Sequence, residues 1–147
     1  MNDYCITSVA GTVLTAFGTP DRCLEAGAAA ADARVTALLP PGGVKKMLIF
    51  APDAIGLAMV AKLPAEFKRL EKAGFLKFPV QSVFPSKTPV CFASMFSGLT
   101  PAGHGINKYE KPVLSCRTIF DALPGCGVRT AIVAVKDSSI DLIFRNR

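Results

Sequence analysis

Lys45-Lys46-Met47-Leu48-Ile49-Phe50-Ala51, followed by Pro52 and Asp53, is the stretch on which the reading of the fold turns. Met47 to Ala51 is a continuous apolar run with no polar alternation, the pattern of a short strand covered on both faces, as in a parallel sheet. Asp53 lies just past the carboxyl end of that strand. Ligands of open α/β sheets gather beyond the carboxyl ends of strands, so an acidic residue at this point sits where chemistry usually happens.

Working outward, helical and strand-like stretches alternate. Upstream, Ile6, Val9, Ala10, Val13, Leu14 and Phe17 recur at spacings of three and four, which predicts a helix docked on a core over Tyr4 to Gly18. Gly18-Thr19-Pro20 breaks it, and Asp21 can cap an alanine-rich helix running to about Leu39, ended by Pro40-Pro41-Gly42-Gly43. Downstream, Leu63, Phe67 and Leu70 mark a helix with Pro64 in its first turn and Gly74 at its end. A strand is expected over about Phe78 to Phe84. Pro85-Ser86-Lys87-Thr88-Pro89 then opens a helix whose Phe92, Met95, Phe96 and Leu99 share one face, with Gly98 and Pro101 closing it. A short helix near Cys116 to Leu123, a turn over Pro124 to Gly127 and a strand from Thr130 to Val135 follow. For Lys136 to Arg147 no terminating helix or strand is expected. The sum is an α/β, three-layer architecture with a mostly parallel sheet.

Composition bounds the rest. Half of the 147 residues are apolar, enough for one core, since a chain of this size buries about 70% of its unfolded surface. One domain over residues 1–147 is therefore expected. No window approaches the 18 uninterrupted apolar residues of a membrane span, and Asn2 and Asp3 supply no basic leader. The net charge of +6 comes from 17 basic and 11 acidic residues, but the bases are scattered. Lys68, Arg69 and Lys72 lie beside Glu66 and Glu71 on a solvated helix face, so no nucleic-acid platform is indicated and only a general attraction to anions remains. Five cysteines without a C-x-x-C pair, and one histidine, argue against a disulfide framework or a zinc finger. Buried thiols in a reducing, cytoplasmic setting are expected.

Asp53 and Thr88 together are the candidate for chemistry. A carboxylate after one strand and a hydroxyl at a helix start after the next are the parts that hold a cation beside a nucleophile. Coordination favours the threonine alkoxide, and the helix N-terminus favours a phosphate. Taken singly, Thr88 could be a helix cap and Asp53 a turn residue. Asp121, Asp137 and Asp141 are further acidic residues of the last third, with Ser138 and Ser139 beside Asp137.

The set Pro52-Asp53, Lys87-Thr88-Pro89 and Gly98-Leu99-Thr100-Pro101-Ala102-Gly103-His104-Gly105 resembles the type I phosphodiesterase/nucleotide pyrophosphatase family of the alkaline phosphatase superfamily, over roughly residues 44–135. The resemblance implies an alkaline phosphatase-like fold, here incomplete, and metal-dependent hydrolysis of a phosphate ester through a phospho-threonine. It implies that Asp53 and Thr88 are metal ligands, that Thr88 is also the nucleophile, and that a divalent metal, zinc, occupies a two-metal site whose other ligands lie far downstream. It assigns His104 to a structural turn. Two departures stand out: Asp53-Ala54 where many relatives have Asp-Gly, and Pro89-Val90-Cys91 where they have Phe-Pro-Asn. A truncated hydrolase acting on a small phosphate ester is the expectation. The alternative is a catalytically silent fragment or a domain binding an anion or a partner, prone to self-association through uncovered core surface.

Overall fold

A computed structural model describes residues 4–19 and 23–147. Eight helices occur among them: α1 (Ser8–Ala16), α2 (Ala33–Thr36), α3 (Leu57–Lys62), α4 (Pro64–Lys72), α5 (Thr88–Ser97), α6 (Pro101–His104), α7 (Ile119–Ala122) and α8 (Ser139–Ile143). A 3-10 turn, Pro124–Cys126, follows α7.

The core forms around α5, which packs against α1, α6, α7 and α8. Ala10, Val13 and Leu14 of α1 meet Val90, Ala93 and Phe96 of α5, and Ile119, Ile143 and Phe144 close the cluster. The i, i+3, i+4 rows on α1 and α5 make these faces, as their spacing predicts. α5 ends because Gly98 turns left-handed at φ 79°, a conformation that glycine enters without steric penalty. The Gly98 carbonyl then accepts from the Ala29 amide at 2.8 Å, which ties the chain before α2 to the end of α5.

Gly11 is needed for a different reason. A Cβ there would stand 2.8 Å from the Ala31 nitrogen and 2.9 Å from the Ala29 oxygen, backbone atoms of a segment pressed on α1. Helix propensity alone favours alanine by up to about 1 kcal/mol, but overpacking against backbone works the other way by about 1–3 kcal/mol. Gly11→Ala is expected to lower stability in urea denaturation; a gain would show that residues 29–31 move off the helix freely.

The expected sheet is not formed. Among the described residues the only β pairing is one isolated parallel bridge, Cys5 with Gln81, flanked by Ile6 N–H to Gln81 carbonyl and Gln81 N–H to Tyr4 carbonyl bonds. The α/β, three-layer reading is therefore corrected to a helical assembly with extended connections. Residues 45–51, 78–84 and 130–135 are not strands of a ladder. The physical reason is that a strand buried on both faces requires neighbours on both edges and helices on both sides. The 45–51 and 130–135 segments have neither. Leu48 is 90% exposed, Phe50 84% and Val133 99%. Both segments border one apolar cleft of about 480 Å³, whose inner wall includes Val13, Phe17, Phe92, Phe96 and Ile119. An apolar run reports the intended burial of a strand, not the presence of its partners.

Two further expectations are corrected. Among the described residues the alanine-rich segment is α-helical only over Ala33–Thr36, because alanine propensity without an apolar stripe gives a helix nothing to dock. Its cap is Asp32, which accepts from the Arg34 amide at 2.9 Å; the expected cap, Asp21, lies outside the described residues. Asp32 is buried and paired with the Arg34 guanidinium at 2.6 Å, a contact that holds its carboxyl below the usual carboxylate range. Arg34 in turn lies 3.8 Å over the Tyr4 ring and reaches the Pro79 carbonyl. The C-terminal segment does form a helix, α8: Ser138 caps it by accepting from the Asp141 amide, and Ile143 and Phe144 enter the core.

Candidate functional site

Thr88 is the first residue of α5, and Lys87 is the flanking half-in residue. The Thr88 side chain does not cap the helix. Its Oγ1 donates to Asp53 Oδ2 at 3.2 Å across 35 residues of sequence. No side chain caps α5, and Pro89 within its first turn brings no N–H. Val90 is buried and the Cys91 amide donates to the Lys87 carbonyl, so the Thr88 amide and the positive end of the helix dipole are what an anion meets here. Lys87, exposed, adds a cation one residue before Thr88.

Asp53 begins a turn after the irregular segment 46–52. Its Oδ1 accepts from the Ala54 amide at 2.9 Å, so one carboxylate oxygen is fixed by the backbone while the other faces Thr88. Ala54 stands at φ 59°, a left-handed conformation that costs an L-residue about 1–2 kcal/mol relative to the right-handed one. This is the position where many relatives of the resembled family carry glycine. Asp53 is exposed and Thr88 half-buried, so the pair faces solvent.

The pair fits part of a metal site. Two oxygens bound to one cation at about 2.1 Å stand roughly 3.0 Å apart at octahedral angles and roughly 3.4 Å apart at tetrahedral ones, and the observed separation is 3.2 Å. A carboxylate and a hydroxyl are hard oxygen donors of the kind divalent cations take. Among the described residues no group of three or more His, Cys, Asp or Glu side chains converges to hold a metal ion, so Asp53 and Thr88 supply two donors and no more.

The other acidic residues are engaged elsewhere. Asp121 completes a capping box with Thr118 at the start of α7 and pairs with Arg147. Asp137 and Asp141 both pair with Arg145, the latter at 2.6 Å. Ser138 spends its hydroxyl on the cap of α8. The local signal at Asp137 is the Ser138-x-x-Asp141 helix start that follows it.

His104, the last residue of α6, is buried between α6 and α5. Its Nδ1 accepts from the Ile106 amide at 3.2 Å, which places the ring proton on Nε2, and Nε2 donates to Ser94 Oγ at 2.8 Å. Both nitrogens are occupied within the chain. Burial pushes the imidazole below its ordinary value of 6.5. A depressed histidine contributes stability that is complete above about pH 6.5 and declines as pH falls below it, because the unfolded chain takes up the proton first. The slope can reach about 1.4 kcal/mol per pH unit. Urea midpoints are expected to fall between pH 7 and pH 5, and His104→Gln should flatten that fall; an unchanged profile would show that another group sets it.

Among the described residues no helix is long and apolar enough to cross a membrane. No curated protein and no solved structure matches the chain. One family profile does, and its span takes in Asp53, Thr88 and the turn through His104. Residues 50–112 match the family described as type I phosphodiesterase / nucleotide pyrophosphatase, so this portion of the chain is phosphoester hydrolase-like.

Proposed function

We propose that this chain takes part in metal-dependent hydrolysis of phosphate esters, with Thr88 as nucleophile and Asp53 and Thr88 as ligands of a divalent cation such as zinc. The reading rests above all on the Thr88–Asp53 contact of 3.2 Å at an uncapped helix start inside the family match. A cation bound there supplies the positive charge that favours the threonine alkoxide.

The protein's own groups account for the remaining requirements. Asp53 orients the Thr88 hydroxyl and is itself oriented by the Ala54 amide. The Thr88 amide at the start of α5 and the neighbouring Lys87 hold the non-bridging phosphate oxygens in place. Thr88 Oγ1 forms a bond to phosphorus as the alcohol leaves, and water then cleaves the phospho-threonine. Two donors fall short of a two-metal centre, so in this proposal the further ligands come from another polypeptide segment.

The test is covalent trapping. The full chain is mixed with zinc and a chromogenic phosphodiester, quenched in acid and mapped by mass spectrometry. The phosphoryl group on Thr88, still carrying the diester's second substituent, is the expected result, dependent on zinc and weakened by Asp53→Asn. Unmodified Thr88, together with no calorimetric binding of zinc, would replace this reading with that of an anion- or partner-binding module.

A further inference from the structure

Cys23 and Cys126, 103 residues apart in sequence, have their sulfurs 3.9 Å from each other. Cys23 lies in the connection between α1 and α2, where it packs on the core cluster, half-buried. Cys126 ends the 3-10 turn after α7 and is exposed. The two elements belong to opposite ends of the sequence. The sulfurs need to approach by about 2 Å to reach the bond length of about 2.05 Å, and Cys126 sits on a short turn at the surface. Neither C-x-x-C spacing nor any local pattern points to this pair; only the fold brings it together.

We propose that Cys23 and Cys126 form a reversible disulfide, a redox site distinct from the Asp53–Thr88 pair. The oxidant is a small-molecule disulfide of the glutathione type. The exposed Cys126 thiolate attacks one of its sulfurs, expelling one thiolate and leaving a mixed disulfide on Cys126. Cys23, as thiolate, then attacks Cys126 Sγ and expels the second. Two protein thiols are oxidised, one small disulfide is reduced to two thiols, and the two protons pass to the departing thiolates.

The consequence follows from where the bond falls. The loop it closes contains Asp53, Thr88 and the extended segment 45–51, which has no ladder partner among the described residues. A cross-link between residues 103 apart removes much of the freedom of the unfolded chain, because the entropic effect grows with loop length. The site-bearing segment is thereby tethered at both ends to the α1 and α7 sides of the core. The disulfide stabilises the fold without touching the candidate site, so its presence and the phosphoryl chemistry of Thr88 succeed or fail separately.

The reduced full chain is incubated with a tenfold excess of oxidised over reduced glutathione, and its thiols are counted and mapped by non-reducing mass spectrometry. Five thiols are expected to fall by two, with a linked peptide joining residues 23 and 126. The same loss of two is expected in a variant lacking the other cysteines (Cys5→Ser, Cys91→Ser, Cys116→Ser). Cys126→Ser should yield no internal disulfide. Oxidation should raise the thermal midpoint of the wild type by roughly 10 °C and leave that of Cys126→Ser unchanged. Retention of all five thiols, a linkage between other cysteines, glutathione left on both Cys23 and Cys126, or an unmoved midpoint in the linked protein would overturn the proposal.

Discussion

Phe96→Ala is expected to lower the stability of this protein by about 3–5 kcal/mol, the range for deleting a buried aromatic ring from a packed core. Phe96 is 5% exposed and stands at the centre of a four-ring cluster. Its centroid lies 6.0 Å from Phe92, 5.2 Å from Phe120 and 5.5 Å from Phe144, distances typical of tilted and edge-to-face pairs, each worth about 0.5–1.5 kcal/mol beyond simple burial. These rings come from α5, α7 and the end of α8, so one side chain joins three elements distant in sequence. Domains are stable by about 5–15 kcal/mol in all, and the loss would take a large share of that. Urea denaturation should show a lower midpoint with an unchanged slope. Phe50→Ala is the control: Phe50 is 84% exposed, and its removal should change stability by less than about 0.5 kcal/mol. Equal effects from the two substitutions would mean that the core lies around the extended segments rather than around α5.

Much of the helical part of this arrangement is legible in the sequence. α1, α4 and α5 follow from apolar spacing, from Pro64 and Pro89 in first turns and from Gly98 as terminator. These signals are local, and a helix satisfies its own backbone, so local signals suffice. The absence of a sheet among the described residues is not legible, for the complementary reason. Met47 to Phe50 has the composition of a buried strand, but a strand exists only with a partner, and its partners are non-local. α8, which the apolar spacing does not predict, is announced instead by its cap, Ser138-x-x-Asp141. Asp32 caps α2 because Arg34, two residues on, can both donate its amide and pair its side chain.

The candidate site divides the same way. Thr88 at a helix start is a local feature and readable as such. That its hydroxyl turns to Asp53 rather than to its own helix is a tertiary fact, and the approach of Cys23 to Cys126 is another. The left-handed Ala54 left only an indirect trace, its place in a position where glycine is common in the resembled family. Strain beside a candidate ligand agrees with a chain bent to present a carboxylate, since such strain tends to collect at functional sites.

Thr88→Ala is expected to lower any metal-dependent phosphodiester turnover by about 1000-fold or more, because removing a covalent nucleophile removes the pathway rather than weakening a contact. Thr88→Ser keeps a hydroxyl at the same position and should retain activity within roughly tenfold, whereas Thr88→Val keeps the shape without the oxygen and should behave like alanine. The structural effect of all three should be small. Thr88 is half-buried, and its side chain caps nothing in α5, so urea midpoints should shift by less than about 1 kcal/mol in equivalent stability. That separation between turnover and folding identifies the role. A residue that merely starts a helix would show the reverse, with turnover unmoved by alanine and serine alike. Asp53→Asn should reduce zinc affinity and turnover together, since the amide keeps one oxygen but loses the charge that holds a cation. If Asp53→Asn lowers turnover while zinc affinity stays at the wild-type value, Asp53 acts by orienting the Thr88 hydroxyl alone, and the metal ligands must be sought elsewhere.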